Sequence, residues 1–172
     1  MSGWVRRLLT GADLPDGFTG RLEAHERVLA SAEVSGQGWL VVTSSGLWLP
    51  DGRRVGWHLV SKATWDGDAL SVIEAEEQET AGDAVLLRDL PVRRLPLPAP
   101  GAVPEQVHKR VTDSIKFRHH RDLPGGGAWF VQRGVPGRDG VQLQVRPDPG
   151  TDPDSVRQVA GEVAARLRGG AR

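Results

Sequence analysis

The chain has no cysteine, so disulfides, thiolate metal sites and thiol nucleophiles are excluded. No run of about 18 apolar residues occurs, so no segment reads as a membrane-spanning helix. The N-terminal stretch MSGWVRRLLTGADLPDG lacks the apolar core and small-residue cleavage site of a secretory signal, and the expected location is cytoplasmic. An excess of one charge is also missing: 22 basic and 22 acidic residues cancel. That balance is far from the strongly basic one of a dedicated nucleic-acid binder. Lysine is scarce, at three of the 22 cations. With abundant Ala, Gly, Pro and Val, this Arg bias reads as drift in a GC-rich genome rather than as a functional demand for arginine.

What is present is a β-rich pattern. At 172 residues the chain is long enough to bury a core without staples. Residues 26–72 carry four of the six Trp, in short apolar runs cut by turn residues. Strands are expected over 25–33, 39–43, 47–49, 53–65 and 69–75, with turns at 35–38, 44–46, 50–52 and 66–68. Within 53–65, alternation puts Trp57, Leu59, Ala63 and Trp65 on one side and His58, Val60, Lys62 and Thr64 on the other. Residues 74–83 are acidic and read as a solvated loop. Two more strands, 84–90 and 92–97, bring the count to seven. Turn signals about every 8–12 residues suit a sandwich or barrel.

After the break at 97–101, Val103, Val107, Val111 and Ile115 recur at helical spacing and predict an amphipathic helix. Pro104 and Glu105 suit its first turn, and Lys109, Arg110 and Lys116 its C-terminal part. Residues 117–127 (FRHHRDLPGGG) read as a loop, and 128–133 and 141–146 as two strands. Asp152 and Pro153 predict the cap and first residue of a last helix, with Val156, Val159, Ala160, Val163 and Leu167 on its apolar face. Trp4, Val5, Leu8 and Leu9 give residues 3–9 one apolar side, as in a short helix or lead-in strand.

Seven strands followed by one helix, with ERVLASAE at 26–33, LVVTSSGLWL at 40–49 and WHLVSKATWDGDALSV at 57–72, resembles bacterial pleckstrin-homology-like (PH-like) domains. The chain is also similar to short actinobacterial proteins that share its Trp-His and Pro-Gly-x-Asp-Gly wording. The resemblance implies an α+β fold: a PH-like seven-stranded antiparallel β-sandwich or barrel capped by a helix, followed by a β-hairpin and a C-terminal helix. Expected boundaries are 1–19 for a lead-in, 20–117 for the PH-like domain and 118–172 for a hairpin-plus-helix extension packed on it. Eukaryotic PH domains often hold phosphoinositides on a basic first hairpin. The equivalent residues 31–42 contain Glu33 and no Lys or Arg, so lipid binding is not expected.

Three features bear on chemistry. His119, His120 and Asp122 form the most enzyme-like cluster, because imidazole ligates metals and titrates near neutrality. Adjacent residues rarely point at one ion, so a solvated or partner-binding loop is preferred. Gly125, Gly126 and Gly127 lead into an expected strand, not a helix, and no Lys-Ser/Thr follows, which excludes a P-loop. Residues 108–121 carry Lys109, Arg110, Lys116, Arg118 and Arg121 against Asp113, a net of +4, with Phe117 among them.

The expected function is that of a non-enzymatic protein-interaction or scaffold module. Its binding residues would be Lys109, Arg110, Lys116, Phe117, Arg118, His119, His120 and Arg121. An opposing acidic patch would comprise Glu74, Glu76, Glu77 and Glu79. The expected partner is another protein. The alternative is an RNA or DNA accessory role for 108–121, with phosphates on the cations and a base on Phe117. No catalytic residue, metal, cofactor, small-molecule substrate or membrane insertion is expected.

Overall fold

Tight turns, placed by residues that tolerate left-handed backbone or cap it with a side chain, cut the first half of the chain into strands. Asp66 shows the device. Its Oδ1 accepts the N–H groups of Asp68 and Ala69 at 2.8 and 2.7 Å, and Gly67 takes φ +99°. The structure is a computed structural model that describes residues 14–170. The expected lead-in element around Trp4, Val5, Leu8 and Leu9 lies outside the described residues.

The described residues form an α+β protein of eleven strands and two helices. They divide into two units. The first holds the described residues through Glu74 together with Pro91–Asp113; the second holds Ala75–Leu90 and residues 114–170.

In the first unit, β1 (Val28–Val34), β2 (Gly38–Thr43), β3 (Gly46–Trp48) and β4 (Arg54–Gly56) form an antiparallel sheet in that order. A single 3-10 turn, Trp57–Leu59, precedes β5 (Val60–Trp65). The strand expected over 53–65 is therefore broken. Trp57 and Val60 are both buried, which simple alternation does not allow. Strand β6 (Ala69–Ala81) pairs through residues 69–74 with β5 and with β8 (Arg93–Pro96). Helix α1 (Val103–Ser114) follows and buries Val103 and Val107. It ends one residue before Ile115, which was expected on its apolar stripe. The core of this unit gathers Val34, Leu40, Leu47, Trp57, Leu70, Leu95 and Val107 among others.

Glu26 is buried among the strands of this unit, and its side chain is fully enclosed. Its carboxylate accepts from Trp48 Nε1 at 2.9 Å, from Arg54 Nη1 at 2.7 Å, from the Glu23 N–H at 3.1 Å, and from Thr43 Oγ1. Both oxygens are thus satisfied, as a buried charge requires. The network ties the chain before β1 to the ends of β2, β3 and β4.

In the second unit, the sheet order is β6 (its residues 75–81), β7 (Ala84–Asp89), β11 (Val141–Pro147), β10 (Gly126–Gly134) and β9 (Ile115–Leu123). Only the β7–β11 pairing is parallel. Helix α2 (Pro153–Gly170) buries Val156, Ala160 and Ala164 against Ala84, Leu86, Phe130, Leu143 and Val145. Small side chains at 160 and 164 let the helix approach the sheet closely. Asp152 caps it, with Oδ2 accepting the Ser155 N–H at 3.0 Å and Oγ–H at 2.7 Å. Those two bonds hold the exposed Asp152 carboxyl below its usual range.

Two expected loops are strands. Residues 74–83 are not a solvated loop: β6 continues to Ala81 before turning at Gly82, φ +62°. Residues 117–127 are not a loop either: β9 runs to Leu123 and returns through a turn into β10. Both carry polar side chains on both faces. They are ordered by ladder bonds to one neighbour, a property that side-chain periodicity does not report.

Truncating Glu26 should leave Trp48, Thr43 and Arg54 without their common acceptor. Glu26→Ala is expected to lower stability by about 3 kcal/mol in chemical denaturation. A loss under about 1 kcal/mol would show that the network does not hold these strands.

Candidate nucleic-acid or protein interface

Strand β9 brings six of the expected binding residues onto one element. Its backbone pairs with β10 from Leu123↔Gly126 to Phe117↔Gln132, and among the described residues it pairs with no other strand. Among the described residues, 117–123 thus form an edge of the second unit's sheet. Lys116, Phe117, Arg118, His119 and Arg121 are exposed and His120 is half-buried. Phe117 is 54 % exposed, a large apolar side chain left in water between two cations.

Alternation separates these residues into two sets. Arg118, His120 and Asp122 share the face of their β10 partners Val131, Trp129 and Gly127. Arg118 lies over the Trp129 ring, 4.5 Å from its centroid. His120 meets the same ring edge-on at 5.1 Å, and its Nε2 lies 2.7 Å from Asp148 Oδ2. The Asp122 carboxylate is 3.8 Å from His120 Nδ1. Phe117, His119 and Arg121 lie on the opposite face. The two adjacent imidazoles therefore cannot converge on one ion. Among the described residues no group of three or more His, Asp or Glu is placed to hold a metal.

Gly127 makes the His120 packing possible. A Cβ there would lie 2.6 Å from His120 Cε1 and 2.7 Å from the Arg121 carbonyl oxygen. The Gly127 N–H donates to Thr151 Oγ1 at 3.0 Å, and the Asp148 N–H donates to the Gly127 carbonyl at 2.9 Å. The second half of the Gly-Gly-Gly run is thus an ordered strand start. Gly125, at φ +83°, supplies the turn.

Lys109 and Arg110 are not on this strand. They lie on α1 in the first unit, where Lys109 pairs with Asp113 at 2.8 Å. The basic stretch is thus divided between two elements. The acidic residues are divided as well. Glu74 belongs to the first unit and is bridged by both Arg53 nitrogens at 2.6 and 2.9 Å. Glu76, Glu77 and Glu79 lie exposed on residues 75–81 of β6. Arg88 pairs with Glu76 at 2.6 Å and Arg157 with Glu79 at 2.9 Å.

Sequence reasoning missed one buried cation, Arg133, and one half-buried cation, Arg146. Arg133 is 1 % exposed and directs Nε and Nη2 at Ser114 Oγ, at 3.0 and 2.6 Å. Burial, with a smaller push from Arg146, brings its guanidinium down to about 10. The unfolded chain keeps the ordinary value, so this burial opposes folding below pH about 10 and ceases to do so as Arg133 deprotonates. Burial likewise lowers Arg146, against the pull of Asp89 at 2.7 Å. Neither adds to the exposed basic surface. A cleft of about 490 Å³ lies beside Arg146, floored by Leu86, Leu87 and Val156. The charges around it pair with residues of the same unit, whereas the side chains of β9 are the more exposed.

No protein-family model, curated protein or solved structure matches the chain. Among the described residues, no helix is long and apolar enough to cross a membrane.

A methyl group at 127 should displace both His120 and the β9 backbone. Gly127→Ala is expected to cost about 2 kcal/mol in thermal or chemical unfolding. Removing the imidazole as well, with His120→Ala, should recover only part, because the Arg121 carbonyl remains in the way. Full recovery would place the whole conflict at His120.

Proposed function

We propose that the chain is a non-enzymatic, cytoplasmic protein-interaction module with a PH-like first part, and that β9 is its docking strand. The observation that carries this reading is the edge itself. Residues 117–123 of β9 pair on one side only among the described residues, and they carry Arg118 and Arg121 against Asp122 alone, with Phe117 exposed beside them. Such an edge offers main-chain hydrogen bonds to an added strand, while alternate side chains select it. The cations favour an acidic partner, contributing encounter rate and orientation more than affinity. The seven strands of the first unit (β1 to β5, residues 69–74 of β6, and β8), followed by α1, support the PH-like part of the reading.

A second reading, a nucleic-acid accessory role, has one observation in its favour. Phe117 is exposed on the same face of β9 as Arg121, an aromatic ring and a cation of the kind that stack a base and meet a phosphate.

Charge reversal separates the two. Tagged protein carrying Arg118→Glu with Arg121→Glu should retain its melting temperature and lose about tenfold or more of its captured host protein. The wild-type capture should survive nuclease. Capture abolished by nuclease would favour nucleic acid, and capture unchanged in the charge-reversed protein would remove β9 from the account.

A further inference from the structure

Among the described residues, the second unit's sheet is open at both ends, and its two edges differ in charge. At one end, residues 117–123 of β9 pair regularly with β10 and, among the described residues, with no strand on the other side. At the other end, residues 75–81 of β6 pair with β7 from Ala75↔Asp89 to Ala81↔Ala84. Strands β5 and β8 pair with β6 only through residues 69–74, so among the described residues 75–81 are bonded on one side alone. Glu76 through Thr80 are exposed. The acidic edge holds Glu76, Glu77 and Glu79, of which Glu76 pairs with Arg88 and Glu79 with Arg157, so Glu77 is the carboxylate without an ion pair among the described residues. The basic edge, residues 117–123, holds Arg118 and Arg121 with Asp122.

The directions of the two edges also match. Strand β7 runs antiparallel to β6, β11 parallel to β7, β10 antiparallel to β11, and β9 antiparallel to β10. Residues 75–81 and β9 therefore run in opposite senses. A second copy that continues the sheet in the same sense would bring its β6 edge beside β9 as an antiparallel pair, the more favourable ladder.

We infer that β9 of one copy takes residues 75–81 of a second copy as its added strand, so that the chain associates head to tail through unlike sheet edges. This rests on the reading of β9 as a docking edge and names its occupant. Pairing of like edges is opposed, because β9 against β9 sets Arg118 and Arg121 against their copies, and β6 against β6 brings the unpaired Glu77 carboxylates together. Charge on an edge strand usually prevents association. Here it blocks only the symmetric pairings and favours the asymmetric one. Unlike edges do not close a dimer, so association continues into a ring or an open chain. The bulge between Glu77 and Glu79 interrupts the acidic edge, which limits the ladder to short stretches on either side and keeps the contact reversible.

Glu77 and Arg121 are suitable probes. Both are exposed, and neither makes an ion pair among the described residues. Sedimentation of the purified full chain over a wide concentration range, in about 50 mM and about 500 mM salt, reads the association. At low salt the average mass should rise steadily without levelling at a dimer, and at high salt it should fall back toward the monomer. Glu77→Lys and Arg121→Glu should each weaken association about tenfold with unchanged melting temperature. An equimolar mixture of the two should associate again, because each supplies the intact edge that the other lacks. A plateau at the dimer mass that Glu77→Lys does not disturb would overturn the inference in favour of like-edge pairing. A monomer at every concentration, with partner capture still dependent on Arg118 and Arg121, would overturn self-association alone. A monomer whose partner capture is also indifferent to both arginines would overturn the docking edge with it.

Discussion

A sheet that does not close must leave two rows of peptide N–H and C=O groups without ladder partners, and the second unit is built under that constraint. Five strands run from residues 75–81 of β6 to β9, and neither end is covered by another strand among the described residues. The middle of the sheet is apolar where α2 lies on it, through Leu86, Phe130, Leu143 and Val145. Its ends are charged. Charged side chains line both edges, and bulges at Gln78 and Lys116 shorten the regular stretches. The distribution of charge follows from the sheet order.

The parts of the fold legible in the sequence are those whose side chains report their surroundings. β2 reads as a buried strand because Leu40, Val41 and Val42 are all enclosed. The 66–68 turn reads from Asp-Gly-Asp, and the start of α2 from Asp-Pro. β9 was not legible. FRHHRDL has no apolar side to announce a strand, because an edge strand outside the core exposes both faces. The same holds for EEQET in β6. In both, the ordering force is backbone pairing to a neighbour distant in sequence or across a tight turn, and period-2 patterning is silent about it.

Buried charge was illegible for a related reason. Nothing local distinguishes Glu26 from the other glutamates. Its enclosure depends on Trp48 and Arg54, more than twenty residues away in each case. Arg133 sits in an apolar strand, which hinted at burial, but its partner Ser114 lies in a different element. The candidate site was half legible. The cations and Phe117 were identified, yet the pairing of His119 with His120 was a feature of sequence only. A strand turns them to opposite faces, and His120 goes to Asp148 and Trp129 instead.

The proposed association depends on the outward backbone groups of residues 117–123, which among the described residues pair with no second strand. Amide hydrogen–deuterium exchange on the wild-type chain, at low and high protein concentration in low salt, tests it at the level of the hydrogen bonds themselves. The account predicts that slowing with concentration is confined to peptides covering 115–123 and 75–81. Exchange in those two strands that is independent of concentration, or slowing located elsewhere, would contradict it.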